Sequence, residues 1–418
     1  MIRNRRSLAG RGGGRRSGHP SRRTAGPMQV WQGSRRRVAI LIETSNAYGR
    51  GLLAGVHAHK QEADDWMMVA CEHARGAPPL ADVSGWRAEG IVARIENEAI
   101  ARAVEKLGLP AIDVSAARLL PKVPFVETDD RQIAQLAAEH LLDLGDVHLA
   151  YCGDPRFRWS ENRRTFFEAE AAKRGRTVDV FQPRRRLAGA GFADDGELTA
   201  WLVGLPKPAA IFACYDALAL QVIEACHWRG ISVPDEVAIL GVDDDDLLCP
   251  LSTPPLSSIT PDARGAGRLA ADLLDRLFRG KTVAVENLVK PLGLSVRRST
   301  DMVVTSEPLV SSAVRFIRAH AHQGIKVVDV AAALSASRRT LEQRFVKHLG
   351  RTPHDEILRV QFHMVEDLLR RTDMKLSSVA KRCGFKHPEY MTVAFTKRRG
   401  IPPREWRIRN RLVERPLG

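Results

Sequence analysis

The chain has 418 residues, 44% of them hydrophobic and 27% charged, with 64 Lys+Arg against 49 Asp+Glu and a formal net charge of +15. At roughly 150 residues per domain this length accommodates two or three cores. No apolar run approaches the ~20 residues a membrane helix needs, which argues against a membrane partner, and six cysteines without a CxxC pair suit a reduced cytosolic protein with buried thiols and give no support to zinc.

Residues 1–37 contain 11 Arg and no acid. The stretch is also rich in Gly and offers no apolar core for a secretory signal. Residues 1–35 are therefore expected to be a disordered basic extension. Two readings stand side by side: the extension holds DNA nonspecifically, or translation begins at Met28.

From residue 37 to about 300 strand and helix signals alternate. Apolar runs at 38–42, 66–71, 90–95 and 111–114 predict strands, and 48–59 predicts a helix. The pattern restarts after Asp129, with helices at 131–144, 160–174 and 217–229 and strands at 149–153, 178–181, 209–214 and 237–242. Continuous apolar strands separated by helices predict parallel sheets covered on both faces, hence two doubly wound lobes with a cleft between them. In such sheets ligands collect at the carboxyl ends of the strands.

Those strand ends carry Ser45, Asn46, Tyr48 and Arg50 after the first strand, then Trp159 and Arg163, Asp216, and Asp243 with Asp244 in the run Asp243-Asp244-Asp245-Asp246. Carboxylates accept from adjacent hydroxyls, Arg and Asn donate in fixed directions, and an aromatic face covers C–H surface, which together suit a sugar. Each residue also has a purely structural reading. Ser45, Asn46 and Asp216 are good helix caps, and the four aspartates would make a solvated acidic turn. Their spacing lacks the pattern of a calcium loop, so no metal and no cofactor are expected.

Residues 307–418 carry 23 Lys+Arg against 11 Asp+Glu, while residues 38–306 carry 30 against 38. A cationic end on an anionic body reads either as a polyanion-binding surface or as solvated helix faces. A loose duplication favours the first. Val330, Ala331 and Leu334 recur 49 residues on as Val379, Ala380 and Cys383; Leu341, Phe345, Gly350 and Pro353 recur 50 residues on as Met391, Phe395, Gly400 and Pro403. Each copy reads as a short helix, a break and a second helix, the lengths a helix-turn-helix needs. In the first, 327–334 supports 338–349; in the second, 377–383 supports 387–399; a longer helix at 352–371 separates them. Leu341, Phe345 and Leu349 repeat every four residues and face inward. The outward candidates for DNA are Ser337, Arg338, Arg339, Thr340, Gln343, Arg344 and Lys347 in the first unit, and Lys386, His387, Glu389, Tyr390, Thr392 and Lys397 in the second. Arg reads guanine and Gln adenine in the major groove, while about half or more of such contacts go to phosphate. Two reading helices on one rigid module predict contacts with successive groove faces about 34 Å apart.

The stretches "VAILIETSNAYGRGLLAGV", "RWSENRRTFFEA", "IFACYDALAL" and "VAILGVDDDDLLCP" resemble the ligand domain shared by the lactose-repressor family and periplasmic sugar-binding proteins. The resemblance implies sugar contacts for Arg163, Asp216 and Asp243 or Asp244, although Phe166 stands where the motif usually has Gly or Ala. Residues 310–408 resemble an AraC-type DNA-binding domain, with the signature "VAKRCGFKHPEYMTVAFTKRRGIPPREWR", Met391 replacing the usual Phe and Trp406 the usual Tyr. A sugar-receptor body ahead of an AraC-type domain is similar to XylR-type xylose operon regulators. The expected fold is thus an α/β two-lobed periplasmic-binding-protein-like domain over 36–300, a linker over 301–309, an all-α domain with two helix-turn-helix units over 310–410, and a tail over 411–418.

The resemblance implies a cytoplasmic, nucleoid-associated homodimer that binds double-stranded DNA and responds to a monosaccharide, D-xylose or a relative. Helices 49–59 and 98–107 are its candidate dimer faces. Other classes fit less well. A transport receptor would gain nothing from residues 307–418. No nucleophile elbow, P-loop or Gly-rich dinucleotide turn supports an enzyme. A DNA-repair methyltransferase needs an activated cysteine, and Cys383 reads as helix packing.

Overall fold

A computed structural model describes residues 35–63, 66–70, 84–183, 196–305 and 307–410. The basic extension, Cys71 and the tail lie outside the described residues. The first apolar strands pair in parallel as predicted, and β1 (Arg36–Leu41), α1 (Ala47–Ala63), β2 (Trp66–Ala70), β3 (Gly90–Ala93), α2 (Glu98–Leu107), β4 (Ala111–Asp113) and β5 (Phe125–Thr128) build one lobe. The second starts with α3 (Asp130–Leu142), β6 (His148–Cys152), α4 (Arg158–Ala172), β7 (Val178–Phe181) and α5 (Gly196–Gly204). It continues with β8 (Ala209–Ala213), α6 (Asp216–Trp228), β9 (Val237–Val242), α7 (Leu248–Leu251) and β10 (Ser257–Thr260).

The lobes are not consecutive in sequence, which corrects the expectation of two successive sets. After β10 the chain returns to the first lobe as α8 (Ala263–Phe278) and β11 (Glu286–Val289), then crosses back as β12 (Gly293–Ser295). The sheet orders are β11-β5-β4-β3-β1-β2 and β12-β10-β9-β8-β6-β7, with β12 antiparallel to β10 and the other pairs parallel. Helix α8 buries Ala263, Ala266 and Ala270 against Leu52 and Val56 of α1, and these alanines, with Gly51, Gly55 and Gly267, let the two helices lie close. Strands β8 and β9 are buried along their whole length, as a doubly covered parallel sheet requires. Five cysteines, Cys152, Cys214, Cys226, Cys249 and Cys383, are buried free thiols.

The remaining described residues fold as α9 (Pro308–His320), α10 (Val327–Ala333), α11 (Arg338–Leu349), α12 (Pro353–Arg371), α13 (Leu376–Arg382), α14 (Pro388–Arg399) and α15 (Pro403–Asn410). They enclose two cores. Leu341 and Phe345 of α11 pack with Val330, Val314, Ile357 and Val360, and Met391 and Phe395 of α14 pack with Val379, Cys383, Phe362 and Trp406. The long helix α12 contributes to both cores and so spaces the two units rigidly. Truncating Phe345 or Phe395 to Ala in such a core costs about 3–5 kcal/mol.

Candidate functional site

The cleft is built from loops at the carboxyl ends of the two sheets. In the first lobe Asn46 closes the turn into α1: it donates to Glu43 Oε1 (3.1 Å) and accepts from the Gly49 N–H (2.8 Å). Ser45 beside it is exposed. Tyr48, 5% exposed, donates to Glu127 Oε1 (3.0 Å) and shares a hydrogen bond with Thr128 Oγ1 (3.1 Å). Burial raises its phenol well above the usual value. Arg94 donates to Glu43 and Glu96, each at 2.5 Å. Burial works against its charge, but Glu96, Glu43 and Glu127 hold the guanidinium firmly protonated.

In the second lobe Arg163 is fixed by α4, donating to Asp130 Oδ1 (2.9 Å) and to the Cys214 carbonyl (2.6 Å), with its guanidinium 4.9 Å from the Trp159 ring centre. Trp159 stacks on Phe157 and meets Tyr215 edge-on. Asp216 accepts from Ser258 Oγ (2.6 Å), the Asp245 N–H (2.8 Å) and Cys249 Sγ (3.2 Å), and burial together with the Asp243 charge raises its carboxyl well above the usual range. Asp243 and Asp244 have φ of 117° and 49°, a strained turn for residues with a Cβ. Hydrogen bonds from the Asp243 N–H to the Ile259 carbonyl and from the Asp244 N–H to Ser258 Oγ hold it in place.

Among the described residues, contacts that cross between the lobes include Arg50 Nη2 to Asp245 Oδ2 (3.2 Å) and Trp159 Nε1 to Glu96 Oε1 (3.2 Å). The fold thus brings Tyr48, Trp159, Arg163, Asp216 and Asp243 toward one cleft, with Glu127 feeling the charges of Arg94, Asp130 and Arg163. Asp244 is differently placed, its carboxylate taken up by Thr260, Ser295 and Arg297 at 2.6–2.8 Å. Sequence reasoning missed Arg94, Glu96, Glu127 and Asp130. The signal was there in charged residues ending the otherwise apolar runs "GIVARIE" and "PFVETDD". Among the described residues no group of three or more His, Cys, Asp or Glu is arranged to hold a metal ion.

In the helical domain Ser337 caps α11, its Oγ accepting from the Thr340 N–H (3.0 Å), and Ser335 carries the turn with φ of 51°. Arg338, Arg339, Gln343, Arg344 and Lys347 are exposed on α11, and Lys386, His387, Glu389, Tyr390 and Lys397 on or beside α14. Several already have partners: Arg338 bonds Glu342 (2.8 Å), and Arg344 bonds Glu307. Thr340 and Thr392 are half-buried; the Thr340 hydroxyl pairs with Ser337 Oγ and that of Thr392 donates to the Pro388 carbonyl.

Comparison with known proteins follows this division. Residues 138–300 match a periplasmic binding protein-like domain and residues 330–409 a helix-turn-helix domain. The chain is 29% identical to the xylose operon regulatory protein of Escherichia coli (strain K12) over 89% of its own length and 97% of that protein's. It is 28% identical to the protein of the same name from Haemophilus influenzae over 89% and 98%. A solved structure of the xylose-binding transcription activator xylR aligns over 90% of this chain and 99% of that one, with a TM-score of 0.73 at 29% identity. With a two-lobed parallel-sheet domain followed by paired helix-turn-helix units along the full span of these relatives, the chain is a homologue of the xylose operon regulators.

Proposed function

We propose that the chain is a sugar-responsive, DNA-binding transcription regulator that takes D-xylose or a closely related monosaccharide into its cleft and controls sugar-utilisation genes. One observation carries the reading. A single chain joins a cleft where Arg163 is fixed against Trp159 to two exposed basic helices, in the order and over nearly the whole length of regulators named for xylose. Those relatives are regulators, and no enzymatic step is proposed for this chain.

In this reading Arg163 and Asn46 donate to sugar hydroxyls, Asp216 and Asp243 accept, Trp159 and Tyr48 cover the ring, and Ser45 and Arg50 complete the set, while Asp244, its carboxylate already held by Thr260, Ser295 and Arg297, supports the turn that carries Asp243. A ligand that touches both lobes stabilises only the closed arrangement, in which Arg50 meets Asp245 and Glu96 meets Trp159. Moving the equilibrium from 1:99 to 99:1 requires about 5.5 kcal/mol of preference for that arrangement. In a cytoplasmic homodimer, closure resets the two DNA modules. On DNA, Arg339, Gln343 and Lys347 of α11 and Lys386, His387, Glu389 and Tyr390 beside or on α14 are the base-edge and phosphate contacts, together with Ser337, Arg338, Thr340, Arg344, Thr392 and Lys397.

The test is fluorescence anisotropy with duplexes from the chain's own promoter region, titrated in salt with and without D-xylose. The expected result is binding that weakens steeply with salt and an affinity that D-xylose changes by about 5-fold or more. Binding that responds to neither removes the proposal.

A further inference from the structure

The first lobe's strand ends hold more buried charge than the proposed sugar contacts use. Glu43, Arg94 and Glu127 are 3%, 3% and 4% exposed. Arg94 spends Nη1 on Glu43 and Nη2 on Glu96, and its guanidinium lies 5.3 Å from the centre of the Tyr48 ring. Tyr48 in turn occupies Glu127 Oε1. Two buried polar atoms on this wall, Arg94 Nε and Glu127 Oε2, have no hydrogen-bond partner among the described residues. Orphaned groups in a dry interior are costly, and a ligand hydroxyl, which both donates and accepts, satisfies them.

The surrounding charge narrows the ligand class. The Arg94 guanidinium on this wall is already paired with the two carboxylates of Glu43 and Glu96, and on the opposite wall Arg163 is already engaged by Asp130 and also senses Asp243. An anionic ligand brought here meets like charge in a low-dielectric cleft, whereas a neutral polyol meets hydrogen-bonding partners.

We infer that Arg94 and Glu127 are specificity-determining residues of the sugar site: Glu127 Oε2 and Arg94 Nε bind hydroxyls of a neutral sugar, and the carboxylates around them reject sugar acids and sugar phosphates. The inference rests on the reading of the cleft as a sugar site and names the part of it that selects.

The test is calorimetric titration of the full chain and of Glu127→Ala with D-xylose, L-arabinose, D-ribose, the monodeoxy analogues of whichever binds, D-xylonate and phosphorylated glucose. For the wild type we expect one monodeoxy analogue to bind at least about 10-fold more weakly than its parent, and no binding of the anionic compounds at comparable concentration. For Glu127→Ala we expect the parent sugar to weaken by about 10-fold or more and the penalty for that analogue to vanish, a readout that a merely structural role would not move. If Glu127→Ala has no cooperative melt, Glu127→Gln, which keeps volume and the acceptor for Tyr48, is titrated instead and is expected to shift the analogue-to-parent ratio by at least about 3-fold. Unchanged ratios in the folded variant, or anions bound as tightly as the neutral sugar, overturn the inference. A wild type that binds no monosaccharide at all overturns the sensor reading itself, and the inference falls with it.

Discussion

Burial pushes the carboxyl of Glu127 up to about 8 against the pull of Arg94, and that of Asp113 up to about 7 despite the hydrogen bond it accepts from the Ile95 N–H. Their ordinary values are 4.5 and 3.8, so over the interval between these values and 7–8 the folded chain keeps protons that the unfolded chain has released. These two carboxyls therefore contribute stability that is lost as pH rises from about 4 to about 8, at least about 2 kcal/mol on the scale of 1.4 kcal/mol per unit and more than the opposing gain from the buried His140 and His363, whose values burial lowers. Thermal melts of the sugar-free chain should fall progressively across that range, and Glu127→Gln should flatten the alkaline half of the curve and be the more stable form at pH 8. A wild-type profile that rises toward pH 8 contradicts this account. These residues also mark what sequence could not give. Arg163 stood out in the run "RWSENRRTFFEA" that carries the resemblance, and in the fold it is buried and reaches Asp130. For Arg94 and Glu127 the charged ends of their runs were visible, but strand periodicity does not say which charged strand end turns inward.

Elements with clear local signals were read closely: α11, β7 and β9 occupy the residues predicted for them. The elements that escaped, β10, β11, β12 and α8 among them, are short strands of three or four residues, two of them at sheet edges, or a helix whose partners lie far away in sequence, and local pattern carries no information on which sheet a segment joins. The helix-turn-helix units were legible because their turns need special residues. Gly384 has φ of +79°, and a Cβ there would stand 2.4 Å from the Ala321 carbonyl and 2.6 Å from the Gly324 nitrogen, at the contact between the second unit and the end of α9. Gly400 has φ of +75° but open space around it. Gly400→Ala should thus cost about 1 kcal/mol from backbone strain alone, whereas Gly384→Ala should cost about 3 kcal/mol or more through strain and clash together. Melting and DNA anisotropy on both variants separate the two effects; equal losses would mean that the α13–α14 turn is free to shift. Sugar affinity should be unchanged in each, because neither position borders the cleft.

The chain between sensor and DNA domain is anchored on both sides. Met302 is buried in the second lobe's core and Val304 packs against it, while Val303 between them packs against the core of α9 to α11, an alternation that an extended segment imposes. Asp301 sits at the centre of this joint, accepting from Arg359 of α12 at 2.5 Å and pairing with Arg318 of α9 at 3.5 Å, while Arg318 also donates to Asp235 of the second lobe at 2.5 Å. Arg359 is further held by Glu356, whose carboxylate also takes Arg351. The helical domain is therefore tied to the second lobe, and in the proposed homodimer closure of the first lobe onto that lobe leaves this joint intact while changing the face the first lobe offers its partner. A sugar signal can reach DNA only if the joint is stiff. Replacing Asp301 with Asn leaves the Arg318 and Arg359 charges partly uncompensated at a buried contact, a loss on the order of 3 kcal/mol locally. The expected outcome is unchanged sugar affinity by calorimetry, unchanged sugar-free DNA affinity within about 2-fold, and an effect of D-xylose on DNA affinity reduced from about 5-fold toward none. If Asp301→Asn keeps the full sugar response, coupling does not run through this joint and must pass through a contact between protomers alone.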